Sequence, residues 1–156
     1  MRFKQFLEGL KDMKSKKEED TKPGWVIPVT PPFSNSDLLG FIGPFNSEGE
    51  AKHYIKSAVD YAKELDGEDD ALTWSTVNNM IDGYPAKITQ RPGFNWVAAT
   101  IILKKHYAPE VDTVLGLFPD EKEARKAGVD ADHGLMKTYP VWDTEHFDNY
   151  IKTGDL

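Results

Sequence analysis

Two groups of residues have the types and spacing that chemistry requires. Asp130, Asp132 and His133 fall within four positions, and Asp143, Glu145, His146 and Asp148 within six. Carboxylates and imidazoles clustered this way can ligate a divalent ion that activates water for hydrolysis. Asp130, Asp132, His133, Asp143 and His146 are thus the candidate ligands of a small metal-dependent hydrolase. Two facts weigh against it. The chain has no His-x-x-x-His pair, and 26 Asp+Glu in 156 residues generate such clusters by composition. Solvated or structural roles are the stronger expectation for all five, so no metal and no cofactor are assigned.

Other chemistries lack their signatures. There is no Gly-x-Ser-x-Gly elbow, no Gly-x-x-x-x-Gly-Lys-Ser/Thr loop and no Gly-x-Gly-x-x-Gly turn. No catalytic residue is assigned, and a non-enzymatic protein is expected. A third acidic group, Glu64, Asp66, Glu68, Asp69 and Asp70, follows a long amphipathic stretch. Its spacing breaks the alternate-ligand pattern of an EF-hand loop. It reads as an exposed turn whose charge would contact a basic protein or imitate DNA phosphate.

Composition excludes further classes. With no Cys there are no disulfides, thiolate zinc sites, iron–sulfur clusters or Cys nucleophiles. No run approaches the roughly 18–20 apolar residues of a membrane helix, and no secretory apolar core opens the chain. The net charge of −7 is the wrong sign for a general or sequence-specific nucleic-acid binder. That charge is uneven. Residues 1–22 carry seven basic and five acidic side chains, whereas 23–156 carry 12 and 21, a net of −9.

The elements that must position these residues follow from periodicity. Phe3, Phe6, Leu7, Leu10 and Met13 share one side of a short N-terminal helix. Residues 14–24 hold no large apolar side chain and read as a linker. The expected division is a leader and linker over 1–22 and a single domain over 23–156. Because a helix of about 12 residues is marginal alone, Phe3, Phe6, Leu7 and Leu10 are candidate docking residues.

The body holds an internal repeat. Gly43, Phe45, Ser47, Glu48, Glu50, Ala51 and Lys52 match Gly116, Phe118, Asp120, Glu121, Glu123, Ala124 and Arg125 at an offset of 73. Ser47 with Glu50, and Asp120 with Glu123, have the spacing of a helix N-cap box. At that offset Trp25–Val29 aligns with Ala98–Ile102, and Leu38–Ile42 with Val111–Leu115. Helices are predicted over Ser47–Leu65 and Asp120–Ala127, the second ended by Gly128. A strand should follow each: Ala71–Ser75, and Leu135–Tyr139 running on to Trp142.

The fold class predicted is α+β: two related β-β-α-β units, about 25–75 and 98–142, share a mainly antiparallel sheet with helices on one face, plus the N-terminal helix. Between the units, Val77, Met80 and Ile81 suggest a short helix and Lys87–Thr89 an extra strand. A last helix is predicted over Asp143–Lys152, with Phe147, Tyr150 and Ile151 on one side. Trp25, Trp74, Trp96 and Trp142 are assigned to core packing, with the proviso that an exposed one would mark a binding surface.

The opening residues, with Phe6, Leu7, Glu8 and Gly9, resemble the leader of internal head proteins of large tailed bacteriophages. The resemblance covers about nine residues. It implies a prohead-targeting segment cut after an apolar-x-Glu site, although Phe6 stands where Leu or Ile is usual. Some proteins of that class inhibit host defence nucleases. The expectation is therefore a non-enzymatic protein-binding module, an inhibitor of a host enzyme. It would sit in the infected bacterial cytoplasm or be packaged in the virion. The alternative is a virion accessory protein whose leader docks on a capsid component. The oligomeric state has no sequence signal.

Overall fold

The computed structural model describes residues 21–32, 37–102, 110–132 and 136–156. The segment predicted as an N-terminal helix, with Phe3, Phe6, Leu7 and Leu10, lies outside the described residues, as does His133. Ten elements follow in the order β1 (Lys22–Val29), β2 (Gly40–Phe45), α1 (Glu48–Glu64), α2 (Trp74–Met80), β3 (Ala86–Gln90), β4 (Trp96–Ile102), β5 (Glu110–Phe118), α3 (Glu121–Asp132), β6 (Lys137–Trp142) and α4 (Thr144–Thr153). The strands form one six-stranded sheet in the order β3-β1-β2-β6-β4-β5. Every pairing is antiparallel except β2 with β6. This is the α+β class, with a mostly antiparallel mixed sheet.

Period-two alternation along the strands splits the apolar residues between two cores. Ile27, Val29 and Ile42 face the helices. They pack with Ala51, Ala58 and Ala62 of α1, Val77 and Met80 of α2, and Phe147, Tyr150 and Ile151 of α4. Their neighbours Val26 and Phe41 face the other way and meet Ile88, Val97, Ala99, Leu117, Tyr139 and Val141. All six strands contribute to that second core. Among the described residues no helix covers it, and the sheet instead curls on itself: β3 and β5, the two ends of the strand order, approach to within 8 Å between Cα atoms. The strong twist of a six-stranded sheet makes such curling available.

Both matched helix starts form. The Glu50 N–H donates to Ser47 Oγ at 3.1 Å, and Glu50 Oε2 accepts from the Asn46 N–H at 3.1 Å. At the second, the Glu123 N–H donates to Asp120 Oδ1 at 2.8 Å. Each start follows a hairpin, β1–β2 or β4–β5, whose second strand ends at Phe45 or Phe118. Gly43 needs its freedom: its φ is +147°, and a Cβ there would lie 2.8 Å from the Trp25 carbonyl. That approach sits where the β1–β2 register shifts between Trp25 and Ile27.

Two expectations are corrected. The strand predicted over Ala71–Ser75 is a loop followed by α2. Thr73 caps that helix, its hydroxyl accepting from the Thr76 N–H at 3.3 Å. Capping and exposure outweigh β-propensity there, and the strand that pairs with β1 is β3. Likewise, α3 does not end near Ala127. It runs through Gly128 to Asp132. Gly128 is buried, and a Cβ would lie 3.1 Å from Met136 Cβ and 3.4 Å from Ala98 Cβ, so the glycine serves close packing on β4.

Candidate functional site

The acidic turn is built on the C-terminal end of α1. Leu65 caps the helix, its N–H donating to Tyr61 O at 3.1 Å. The chain then folds tightly: the Asp66 N–H donates to Lys63 O, the Glu68 N–H to Leu65 O at 3.0 Å, and the Ala71 N–H to Glu68 O. The far end is pinned to α4, where the Leu72 N–H donates to Ile151 O at 2.8 Å. Its carboxylates (Glu64, Asp66, Glu68, Asp69 and Asp70) are all exposed. A framed turn with five solvated carboxylates projects a concentrated negative field without the cost of burying charge.

Sequence reasoning missed the neighbour that gives this turn an anchor. Trp74 opens α2 just beyond the acidic group and is 47% exposed, against its assignment to the core. Lys63 Nζ stands 5.2 Å from the centre of its ring, a cation–π arrangement that restrains the indole. The missed signal was Thr73-x-x-Thr76, a cap pattern that lifts the following residue out of a strand. At the other end of α2, Tyr84 is 84% exposed and lines a shallow cleft of about 220 Å³ with Lys52, Ile55 and Ile81. Among the described residues, two exposed large aromatics thus flank α2. Trp25, Trp96 and Trp142 are half-buried.

The proposed metal ligands have other surroundings. Asp143 is the N-cap of α4, its Oδ1 accepting from the His146 N–H at 2.7 Å. The His146 ring stacks parallel on Trp142, with centroids 6.1 Å apart. Asp148 accepts from the Tyr54 hydroxyl at 2.7 Å. Burial first, and then that carboxylate, push the Tyr54 phenol far above its usual range. Asp130 is exposed on α3. Asp132 ends that helix, and its side chain, like His133, lies outside the described residues. Among the described residues no three His, Asp or Glu side chains converge as metal ligands do.

A second polar cluster, which no sequence motif marks, centres on Asp37. Asp37 accepts from the Tyr139 hydroxyl at 2.6 Å, from Lys137 Nζ at 2.8 Å and from the Leu38 N–H at 2.7 Å. Burial works against the carboxylate, but these hydrogen bonds and the Lys137 charge outweigh it and hold the carboxyl below the usual aspartate range. Burial, with the Asp37 bond, pushes the Tyr139 phenol up. Lys137 and Tyr139 lie about a hundred positions from Asp37 in sequence, so the cluster ties the β1–β2 connection to β6. Among the described residues, no helix is long and apolar enough to cross a membrane. No known protein family, curated protein or solved structure matches the chain.

Proposed function

We propose that the protein is a non-enzymatic protein-binding module, and that it engages a basic partner through the acidic turn and Trp74. The observation that carries this reading is a half-exposed tryptophan beside five exposed carboxylates on a pinned turn. Tryptophan is enriched among residues that dominate binding energy, while surrounding charge sets association rate and partner choice. The N-terminal resemblance supports a bacteriophage setting in which the partner is a host protein. Its inhibition would require only that the module cover a functional surface.

The test is affinity capture with the full chain from infected and uninfected bacterial lysate, followed by binding measurements on the recovered protein. Trp74→Ala should weaken that complex by about 2 kcal/mol or more, roughly thirtyfold. Reversing Glu64, Asp66, Glu68, Asp69 and Asp70 to Lys should slow association and invert its salt dependence. If Trp74→Ala binds within threefold of the parent and reversal leaves rate and salt dependence unchanged, this surface is not the binding face.

A further inference from the structure

A different site lies at one mouth of the curled sheet, where β1 begins and β2 and β3 end. A cleft of about 460 Å³ opens there, lined by Lys22, Pro44, Gln90, Arg91, Phe94 and Asn95 among others. That volume is within the roughly 300–1,000 Å³ of small-molecule sites, and barrel mouths are a common place for them. Its charge opposes that of the molecule. Among the described residues two cations line it and no carboxylate does, on a chain whose net charge is −7. Neither Lys22 nor Arg91 forms an ion pair among the described residues.

The cationic side chain is held in advance. Arg91, Pro92, Gly93 and Phe94 form a tight turn, with the Phe94 N–H donating to Arg91 O at 3.1 Å and Gly93 at φ +78°. Proline then glycine at the central positions is the signature of a type II turn. The turn sets the Arg91 guanidinium 4.7 Å from the centre of the Phe94 ring. Held over that ring, a guanidinium retains N–H groups for a planar or tetrahedral anion. The following residue is anchored on both sides: the Asn95 N–H donates to Phe118 O at 3.1 Å, and Asn95 O accepts from the Val141 N–H at 2.7 Å.

The floor is fixed as well. Gln90 is 8% exposed, and its Nε2 donates to Pro23 O at 3.0 Å and to Asn46 Oδ1 at 2.9 Å. Both amide hydrogens are thereby committed, which leaves Oε1 as the acceptor of a side chain that lines the cleft. Cations alone would describe an ion site. Cations with an aromatic ring and a fixed acceptor describe a site for an anion that also carries an organic body with a donor.

We infer that this mouth binds a small phosphomonoester of mononucleotide size, its dianionic phosphate between Lys22 and Arg91 and its organic part against Phe94 and Gln90 Oε1. A dianion matches two cations from separate elements better than a single carboxylate does. The site is independent of the acidic turn. The two lie at opposite ends of α1, whose 17 residues span about 25 Å.

The test is nuclear magnetic resonance titration of the full isotope-labelled chain with inorganic phosphate, adenosine 5′-monophosphate, adenosine and acetate. The backbone amides of Lys22, Gln90, Arg91, Gly93, Phe94 and Asn95 should shift with phosphate and, at lower concentration, with the nucleotide. Adenosine and acetate should move them little. Arg91→Gln and Lys22→Gln should each weaken nucleotide binding by roughly tenfold while leaving amide dispersion elsewhere unchanged. Absence of shifts with phosphate and nucleotide at millimolar concentration overturns the proposal. Equal response to adenosine or acetate does so too, as does undiminished binding by both variants. Equal affinity for phosphate and nucleotide removes the organic half of the site.

Discussion

Replacing Asp37 by Ala should destabilise the protein by about 2–4 kcal/mol, because one carboxylate serves three donors. The largest loss is at Tyr139, which is 4% exposed and would keep a hydroxyl without its 2.6 Å acceptor. At a part-buried site a hydroxyl left without its partner costs about 1–2 kcal/mol. The Leu38 N–H loses a charge-assisted acceptor as well, adding about 1 kcal/mol. The Lys137 pair adds little, since that lysine side chain is 65% exposed and surface ion pairs contribute about 0–1 kcal/mol.

Tyr139→Phe leaves Asp37 with its other donors and a partly solvated carboxylate, so it should cost only about 1–2 kcal/mol. In the double variant the orphaned hydroxyl is gone. The two losses should therefore fall short of additivity by about 1–2 kcal/mol. Urea unfolding at fixed ionic strength measures all four species through their midpoints, with unchanged slopes as the check on two-state behaviour. The pH dependence has a definite sign. The folded carboxyl titrates below its ordinary value of 3.8, so its stabilisation is complete at neutral pH and fades as pH falls through that value and below. The gap between the parent and Asp37→Ala should narrow over the same range. A loss below about 0.5 kcal/mol for Asp37→Ala, or strict additivity in the cycle, would refute this account of the cluster.

Two further outcomes follow from the packing. Tyr54, Tyr139 and Tyr150 all have phenols raised by burial above the ordinary value of 10.0, so the unfolded chain ionises first. Stability should fall as pH rises beyond about 10, by up to about 1.4 kcal/mol per pH unit per tyrosine, and Tyr54→Phe should flatten that decline in urea midpoints. Gly40→Ala places a Cβ 2.6 Å from Trp142 Cη2 and 2.8 Å from Pro140 O, where backbone must move. It should cost about 1–3 kcal/mol in thermal or urea unfolding, and an unchanged midpoint would show that β2 and β6 are less tightly joined than described.

Much of this fold could be read locally. Capping residues at Ser47, Asp120 and Asp143, the 3-and-4 spacing of Ala51, Ile55, Ala58, Ala62 and Leu65, and Phe147 with Tyr150 and Ile151 announce the helices, because caps and amphipathic faces are short-range signals. Alternation announces the strands for the same reason. The exposed acidic turn was legible from its charge density alone. Trp74 was not, because a four-residue apolar-and-Thr run reads equally as strand until the Thr73 cap is seen to form.

The element types, the two matched hairpin-to-helix corners and the uneven charge are thus properties of the chain itself, set by neighbours a few residues apart. Which strands meet is another matter. That β6 enters between β2 and β4, that the sheet curls until β3 and β5 approach each other, and that Gln90 lies beside Lys22 depend on contacts over tens of residues. Those pairings are chosen by burying Phe41, Val97, Leu117 and Tyr139 together. Burial is collective and carries no sequence period of its own. The tertiary structure alone therefore decided that an acidic protein would gather Lys22 and Arg91 at one mouth and leave Trp74 in solvent beside its carboxylates.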